Sequence, residues 1–162
     1  MFAFKKNSGR IGCVGAALFA GLATGCVSMR PLPPVNLKDP GWTIREGQAI
    51  WQTPRKGPEL AGEVLLATQP NGRSFVQFTK TPFPFVIAQT TTSPNRWQIE
   101  FPTENKYYSG PGKGPARLPW LHLAAALAGQ PPPKGWHFQL EPAGHWRFSN
   151  PRTGEALEGF FN

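Results

Sequence analysis

The chain has 162 residues, a formal net charge of +8 and two cysteines, Cys13 and Cys26. This length provides one domain rather than several. Because both cysteines precede residue 27, no disulfide can form within the rest of the chain, and a disulfide-stabilised scaffold is excluded.

Residues 1–25 have the three parts of an export signal. Lys5, Lys6 and Arg10 provide a positive head, and residues 11–24 form an apolar stretch without a charge. This stretch is shorter than the roughly 20 residues that a transmembrane helix needs. We therefore predict a signal peptide that is removed on export.

The signal ends in Leu22-Ala23-Thr24-Gly25-Cys26. This stretch resembles the lipobox of bacterial lipoprotein signal peptides. The resemblance implies cleavage before Cys26, a diacylglycerol on its sulfur and an acylated amino group. Two or more chains anchor a protein stably, at about 0.8 kcal/mol per buried methylene. A plain secretory signal with a chance cysteine is the alternative.

The residue after the cysteine bears on localisation. Val27 stands there rather than Asp, and by the same resemblance this favours the outer membrane of a Gram-negative bacterium, with the protein facing the periplasm. Removal of the signal lowers the formal charge from +8 to +5. A basic face suits anionic lipid surfaces, or serves solubility alone. Nucleic acid is not expected as a partner in this compartment.

Residues 26–40 are predicted to form a tether that begins with the lipidated cysteine. Pro31, Pro33, Pro34 and Pro40 favour extended polyproline geometry. Such a segment would lift the folded domain, residues 41–162, off the bilayer.

The folded part is predicted to consist mostly of strands. Trp97, Ile99 and Phe101 alternate with polar residues, which is the period of a half-buried strand, and Pro70-Asn71-Gly72 is a hairpin turn signal. Tyr107-Tyr108 is assigned to a sheet edge. The eight predicted strands cover 46–52, 60–69, 73–80, 85–91, 97–101, 136–140, 145–149 and 155–161.

One helix is predicted, over residues 118–128. Pro119 suits its first turn, Gly129 suits its C-terminal cap, and three prolines after residue 130 prevent its continuation. Its side chains are apolar nearly all round, with His122 as the polar exception in its interior. A surface helix has a polar face, so this helix should be enclosed.

About eight strands and one apolar helix predict a mainly β fold, an incomplete, half-open antiparallel β-barrel with the helix as lid or plug. Barrels of this size can hold one small apolar ligand. Alternatively, the same side chains fill one another's space as an ordinary core. The candidate cavity-lining residues are Trp51, Val64, Leu66, Phe75, Ile87, Trp97, Ile99, Trp120, Leu123 and Leu127.

Phe83 is the candidate for membrane insertion. It stands between two prolines in Thr81-Pro82-Phe83-Pro84, where a stiff aromatic tip can enter the headgroup region of a bilayer. The alternative is that Phe83 packs under its hairpin.

Residues from about 46 to 161 resemble the LolB-type outer-membrane lipoprotein receptors and, more distantly, the periplasmic LolA carriers. The resemblance rests on the lipid-anchored N-terminus with its short linker, on the turn 81–84, and on Leu118-Pro119 opening a helix that ends in 127–131. Ala126 stands where the family usually has Trp, and residues 108–117 are too short and Gly-rich for the family's preceding helix. These departures predict a reduced lid.

The resemblance implies a half-open barrel with a helical lid over an apolar cavity, which accepts acylated proteins and passes them into the outer membrane. Phe83 matches the family's protruding apolar residue. The implied partners are membrane lipid, acylated lipoproteins and a periplasmic carrier. The alternative function is a non-catalytic structural or protein-interaction lipoprotein with a filled barrel.

We expect no enzyme activity, metal or cofactor. The folded part has no Asp, and His122, His137 and His145 lack the spacing of metal ligands. The run 110–114 superficially resembles a phosphate loop, but no Ser or Thr follows Lys113 and no strand–loop–helix context surrounds it.

Overall fold

The computed structural model of the protein describes residues 30–162. The predicted signal peptide, the predicted anchor Cys26 and the start of the predicted tether lie outside the described residues. They stay predictions.

The described chain forms nine strands and one short α-helix. The strands are β1 Thr43–Gln52, β2 Glu59–Thr68, β3 Ser74–Lys80, β4 Phe83–Thr92, β5 Asn95–Phe101, β6 Lys106–Pro111, β7 His137–Leu140, β8 His145–Asn150 and β9 Glu155–Phe161, and the helix is α1 Leu123–Leu127. Short 3₁₀ turns cover Pro54–Lys56, Pro102–Glu104, Pro119–Leu121 and Pro142–Gly144.

All nine strands belong to one antiparallel sheet in the order β6-β5-β4-β3-β2-β1-β9-β8-β7. β6 and β7 are its two edges, so the sheet is open. The mainly β class and the half-open antiparallel sheet are thereby confirmed. The edge position predicted for Tyr107-Tyr108 is also correct, because both residues belong to β6.

Side-chain alternation gives the sheet two different faces. Val64, Phe78 and Val86 follow one another across β2, β3 and β4, and all three are buried. We call this side the inner face and the opposite side the outer face. Trp51 on β1 lies 6.2 Å from Phe85 on β4, ring centroid to centroid, although two strands separate them. Strands are spaced about 4.8 Å apart, so the sheet curls toward its inner face.

Residues 118–128 cross the inner face, but not as the continuous helix that was predicted. A 3₁₀ turn at Pro119–Leu121 precedes α1, and His122 separates them with φ −107° and ψ −9°. The His122 Nε2 atom lies 3.2 Å from the carbonyl oxygen of Pro115, which holds this residue to the preceding loop. The predicted C-terminal cap is correct, since Gly129 has φ +79°.

Residues 30–33 of the predicted tether contact the folded domain, and we call them the docked segment. The Leu32 side chain is buried, and its N–H donates to Gln98 Oε1 at 2.7 Å. The Arg73 guanidinium donates to the Pro33 carbonyl at 3.1 Å, and Arg96 donates to the Arg30 carbonyl. Extended prolyl backbone makes no internal hydrogen bonds, so its carbonyls are free for these donors.

Candidate functional site

Eight of the ten candidate cavity residues belong to the inner face or to the segment that crosses it. They are Trp51, Val64, Leu66, Trp97, Ile99, Trp120, Leu123 and Leu127. The prediction is wrong for Phe75 and Ile87. Phe75 pairs with Gln89 and Ile87 pairs with Glu100, and alternation places both on the outer face.

Sequence reasoning missed several inner-face side chains. Phe78 and Phe148 are fully buried there, as are Val86 and Leu157. The sequence did show that Val76 and Phe78 share one face of their strand and that Phe75 belongs to the other face. Alternation separates the two faces of a strand but does not tell which one is turned inward.

The inner face is filled by its own side chains in this conformation. Trp120 stacks on Phe78 with ring centroids 5.0 Å apart, and its edge meets Trp51 at 5.7 Å. Trp120 is 1% exposed, and Leu123 and Ile99 are 0% exposed. A guest molecule can therefore reach the centre of this face, around Trp120 and Phe78, only after residues 118–128 move away.

Glu155 is an inner-face carboxyl that the sequence did not single out. It is 4% exposed, and its Oε1 accepts the Trp51 indole N–H at 3.1 Å. Burial raises the pKa of the Glu155 carboxyl, while the Trp51 N–H opposes that rise. The Glu155 carboxyl is thus hydrogen-bonded to Trp51, one of the two rings in the Trp51–Trp120 contact.

Glu155→Gln is expected to raise Tm at pH 7 by a few degrees, at about 4 °C per 1 kcal/mol for a domain of this size. The folded protein holds the Glu155 proton more tightly than the unfolded chain does. Its contribution is therefore complete below the ordinary pKa of 4.5 and is lost as the pH rises through the raised pKa. The glutamine keeps the acceptor for Trp51 and removes this loss.

Thermal melts between pH 4 and 8 measure the effect. Glu158→Gln is the matched control, because the Glu158 side chain is 45% exposed and paired with Arg147 at the surface. A lower Tm of Glu155→Gln at pH 7 would show instead that the charged carboxylate stabilises the fold.

The indole N–H groups of Trp120 and Trp146 are buried and find no acceptor among the described residues. A buried donor without a partner costs about 1–3 kcal/mol. Both indoles belong to the inner face or its covering segment, so they offer hydrogen bonds to a carbonyl group that is brought there.

Phe83 opens β4 and is 66% exposed. This exposure favours the protruding position over the packing of Phe83 under its hairpin, which was the alternative. Phe83, Trp51 and Glu155 all lie at the same end of the sheet, since β3 and β1 finish there and β4 and β9 start there. We call this end the Phe83 end.

The described histidines do not form a metal site. Within residues 30–162, no group of three or more His, Cys, Asp or Glu side chains comes together. Burial lowers the pKa of His122, against the opposing effect of its backbone hydrogen bonds. His137 and His145 are exposed on β7 and β8.

A pocket of about 610 Å³ lies on the outer face of β1, β2, β8 and β9. Ile50 and Phe160 provide apolar surface in it, and Glu158 pairs with Arg147 at 3.4 Å. The ring of His145 lies 5.4 Å from that of Phe160. This pocket is separate from the inner face.

None of the helices in the described part is long and apolar enough to cross a bilayer. Neither a protein-family model nor a curated protein matches the chain.

Proposed function

We propose that this chain is a lipoprotein anchored in the outer membrane through Cys26 and facing the periplasm. It binds acyl chains, alone or on lipoproteins, at the inner face and helps to insert them in the membrane. The proposed fold is the half-open barrel of the LolB type, with residues 118–128 as the lid. The observation that carries the proposal is a curved apolar face whose cover is one short apolar segment.

The attachment of the lid favours movement. Its hydrogen bonds among the described residues run within 115–130, and it contacts the sheet through apolar side chains such as Trp120 and Leu123. Gly112 and Gly129, both at positive φ, flank it. Displacing the lid exposes apolar surface at a cost of about 25 cal/mol per Å². An acyl chain covers the same apolar surface and recovers this free energy. The free energies of the closed and the loaded states can therefore be nearly equal.

The polar groups of the inner face suit an acyl ligand that carries a carbonyl. Trp120 and Trp146 hold buried donors without partners among the described residues. An ester or amide carbonyl would accept from either one and remove the cost of the unpaired N–H. A hydrocarbon chain without a carbonyl has no acceptor and would leave the N–H groups unpaired.

Native mass spectrometry of protein purified from membranes tests the proposal. Co-purified acyl cargo, lost after delipidation and regained with an acylated peptide, is the expected result. The same peptide without its acyl chain is the control. A protein that carries no cargo and takes up neither peptide would contradict acyl binding.

Phe83→Glu is expected to slow the transfer of cargo to vesicles by about tenfold, since a charge replaces an apolar group of roughly 1.4 kcal/mol at the bilayer interface. The side chain is 66% exposed, so the thermal transition should stay in place. Transfer of a fluorescent acylated peptide to liposomes measures the effect.

Leu140→Glu is the matched control for this experiment. Leu140 is 60% exposed and lies at the other end of the sheet, at the end of β7. Equal transfer by both variants would rule out a special role of Phe83. Loss of the thermal transition in Phe83→Glu would point to a packing role instead.

A second candidate function is a filled, non-catalytic interaction lipoprotein. The stacked contact of Trp120 and Phe78 and the near-complete burial of Leu123 and Ile99 favour it. The outer-face pocket with Ile50 and Phe160 would then be its contact surface for a partner protein. This candidate predicts no acyl cargo in the mass spectra.

A further inference from the structure

The docked segment is hydrogen-bonded to side chains of β5 on the outer face and to Arg73 beside β3. Phe75, Gln89 and Gln98 lie in adjacent strands on that face, and all are less than 9% exposed. Elsewhere on the outer face Ile50 is 40% exposed. The buried Leu32 is bonded through its N–H to Gln98 in this row, and the other bonds of the segment reach Arg73 beside β3 and Arg96 on β5, at the two sides of the row.

Side-chain hydrogen bonds on the outer face orient the groups that bind the docked segment. Tyr107 donates its hydroxyl to Gln98 Oε1 at 3.0 Å, and Gln98 Nε2 donates to Glu100 at 2.8 Å. These bonds orient Gln98 so that Oε1 faces the Leu32 N–H. The Arg73 guanidinium, which binds the Pro33 carbonyl, also lies 5.5 Å from the ring centroid of Trp42. The segment is thus held by one buried leucine and by specific hydrogen bonds to its backbone.

This docking determines where the chain toward Cys26 leaves the domain. Arg96 on β5 binds the Arg30 carbonyl and pairs with Thr91 on β4. Phe83 lies on β4 as well, eight residues before Thr91. At about 3.3 Å per residue, Phe83 is roughly 25 Å away along the sheet. The four residues from Arg30 back to Cys26 span at most about 14 Å, so docking keeps the anchor near the Arg96 end of the sheet, opposite the Phe83 end.

We propose that residues 30–33 are a strap. Docked, it holds the Phe83 end away from the bilayer that carries the anchor. Released, it lets that end reach the bilayer. The release frees the chain up to Trp42, and those sixteen residues span up to about 55 Å when extended. The strap rests on the proposed function, because it needs the lipid anchor at Cys26 and the membrane role of the Phe83 end.

The strap separates two steps that a single orientation cannot serve. With the strap docked, Phe83 and the neighbouring Trp51 and Glu155 face the periplasm, where an acylated cargo would arrive. With the strap released, the same end meets the membrane, where the cargo would leave. The hold is small, consisting of Leu32 and three side-chain-to-backbone hydrogen bonds, which suits a contact that opens and closes.

The test uses the full lipidated protein in phosphatidylethanolamine–phosphatidylglycerol vesicles. Thr81→Cys places one thiol beside Phe83 for a fluorescent label, since lipidation consumes the thiol of Cys26 and Cys13 leaves with the signal. Nitroxide lipids quench the label when it enters the bilayer. Leu32→Glu and, as a milder change, Leu32→Ser undock the strap. Pro34→Glu is the matched control, because it adds the same charge at an exposed position directly after the docked segment.

Quenching is expected to be weak in the parent and in Pro34→Glu, and to rise severalfold in both Leu32 variants. Hydrogen exchange of the Leu32 or substituted amide reports undocking independently. Undocking without a rise in quenching, or full quenching in the parent, overturns the strap while leaving acyl binding intact. If the parent protein does not float with vesicles, it has no lipid anchor, and this result would contradict both the proposed localisation and the strap.

Discussion

Trp120→Ala is expected to lower the free energy of unfolding by about 3–5 kcal/mol, the range for removing a large aromatic side chain from a packed core. Trp120 is 1% exposed, stacks on Phe78 and meets the edge of Trp51. The alanine leaves a void between the sheet and residues 118–128 that small neighbours such as Ala124 cannot fill. Urea unfolding followed by circular dichroism measures the loss.

Two controls separate the loss of packing from a general effect. Trp120→Phe keeps most of the ring and should lose less, and Leu140→Ala, at a 60% exposed position, should change stability by no more than about 0.5 kcal/mol. A loss below about 1 kcal/mol in Trp120→Ala would mean that residues 118–128 are not part of the cooperative core.

The same variant also distinguishes the two candidate functions. If the inner face takes an acyl chain, the void left by Trp120→Ala pre-forms part of the site, and an acylated peptide should bind more tightly to the folded variant. If the barrel is a filled scaffold, the variant loses stability and gains no ligand. Titration of the acylated peptide under conditions where the variant stays folded measures this difference.

Cys26→Ala is expected to move the protein from the membrane fraction to the soluble fraction almost completely. The lipobox resemblance implies three acyl chains on Cys26, and at about 0.8 kcal/mol per buried methylene, two or more chains already anchor a protein stably. Without the cysteine no acyl chain can attach. Cell fractionation and mass spectrometry of the N-terminal peptide measure the change.

The second cysteine provides the matched control. Cys13→Ala removes a thiol that lies inside the predicted signal, so lipidation and membrane association should be unchanged. A Cys26→Ala protein that still sediments with membranes would show that another part of the chain holds it there. A mature N-terminus other than residue 26 in the parent would favour the plain secretory signal.

The strand pattern of this protein was predictable from its sequence. Each predicted strand overlaps an observed one, because alternation such as Trp97-Gln98-Ile99-Glu100-Phe101 is a local property of a half-buried strand. Pro119 and Gly129 marked the limits of the crossing segment for equally local reasons, a missing N–H and a backbone that tolerates positive φ.

Only the tertiary structure decided which side of each strand is inside and what covers it. Phe75 was predicted to face a cavity, but it lies on the outer face. The burial of Glu155 against Trp51 and the docking of Leu32 on Gln98 depend on partners 104 and 66 residues away in sequence. Local periodicity carries no information about contacts at such separations, because they form only when the curled sheet brings distant strands and segments together.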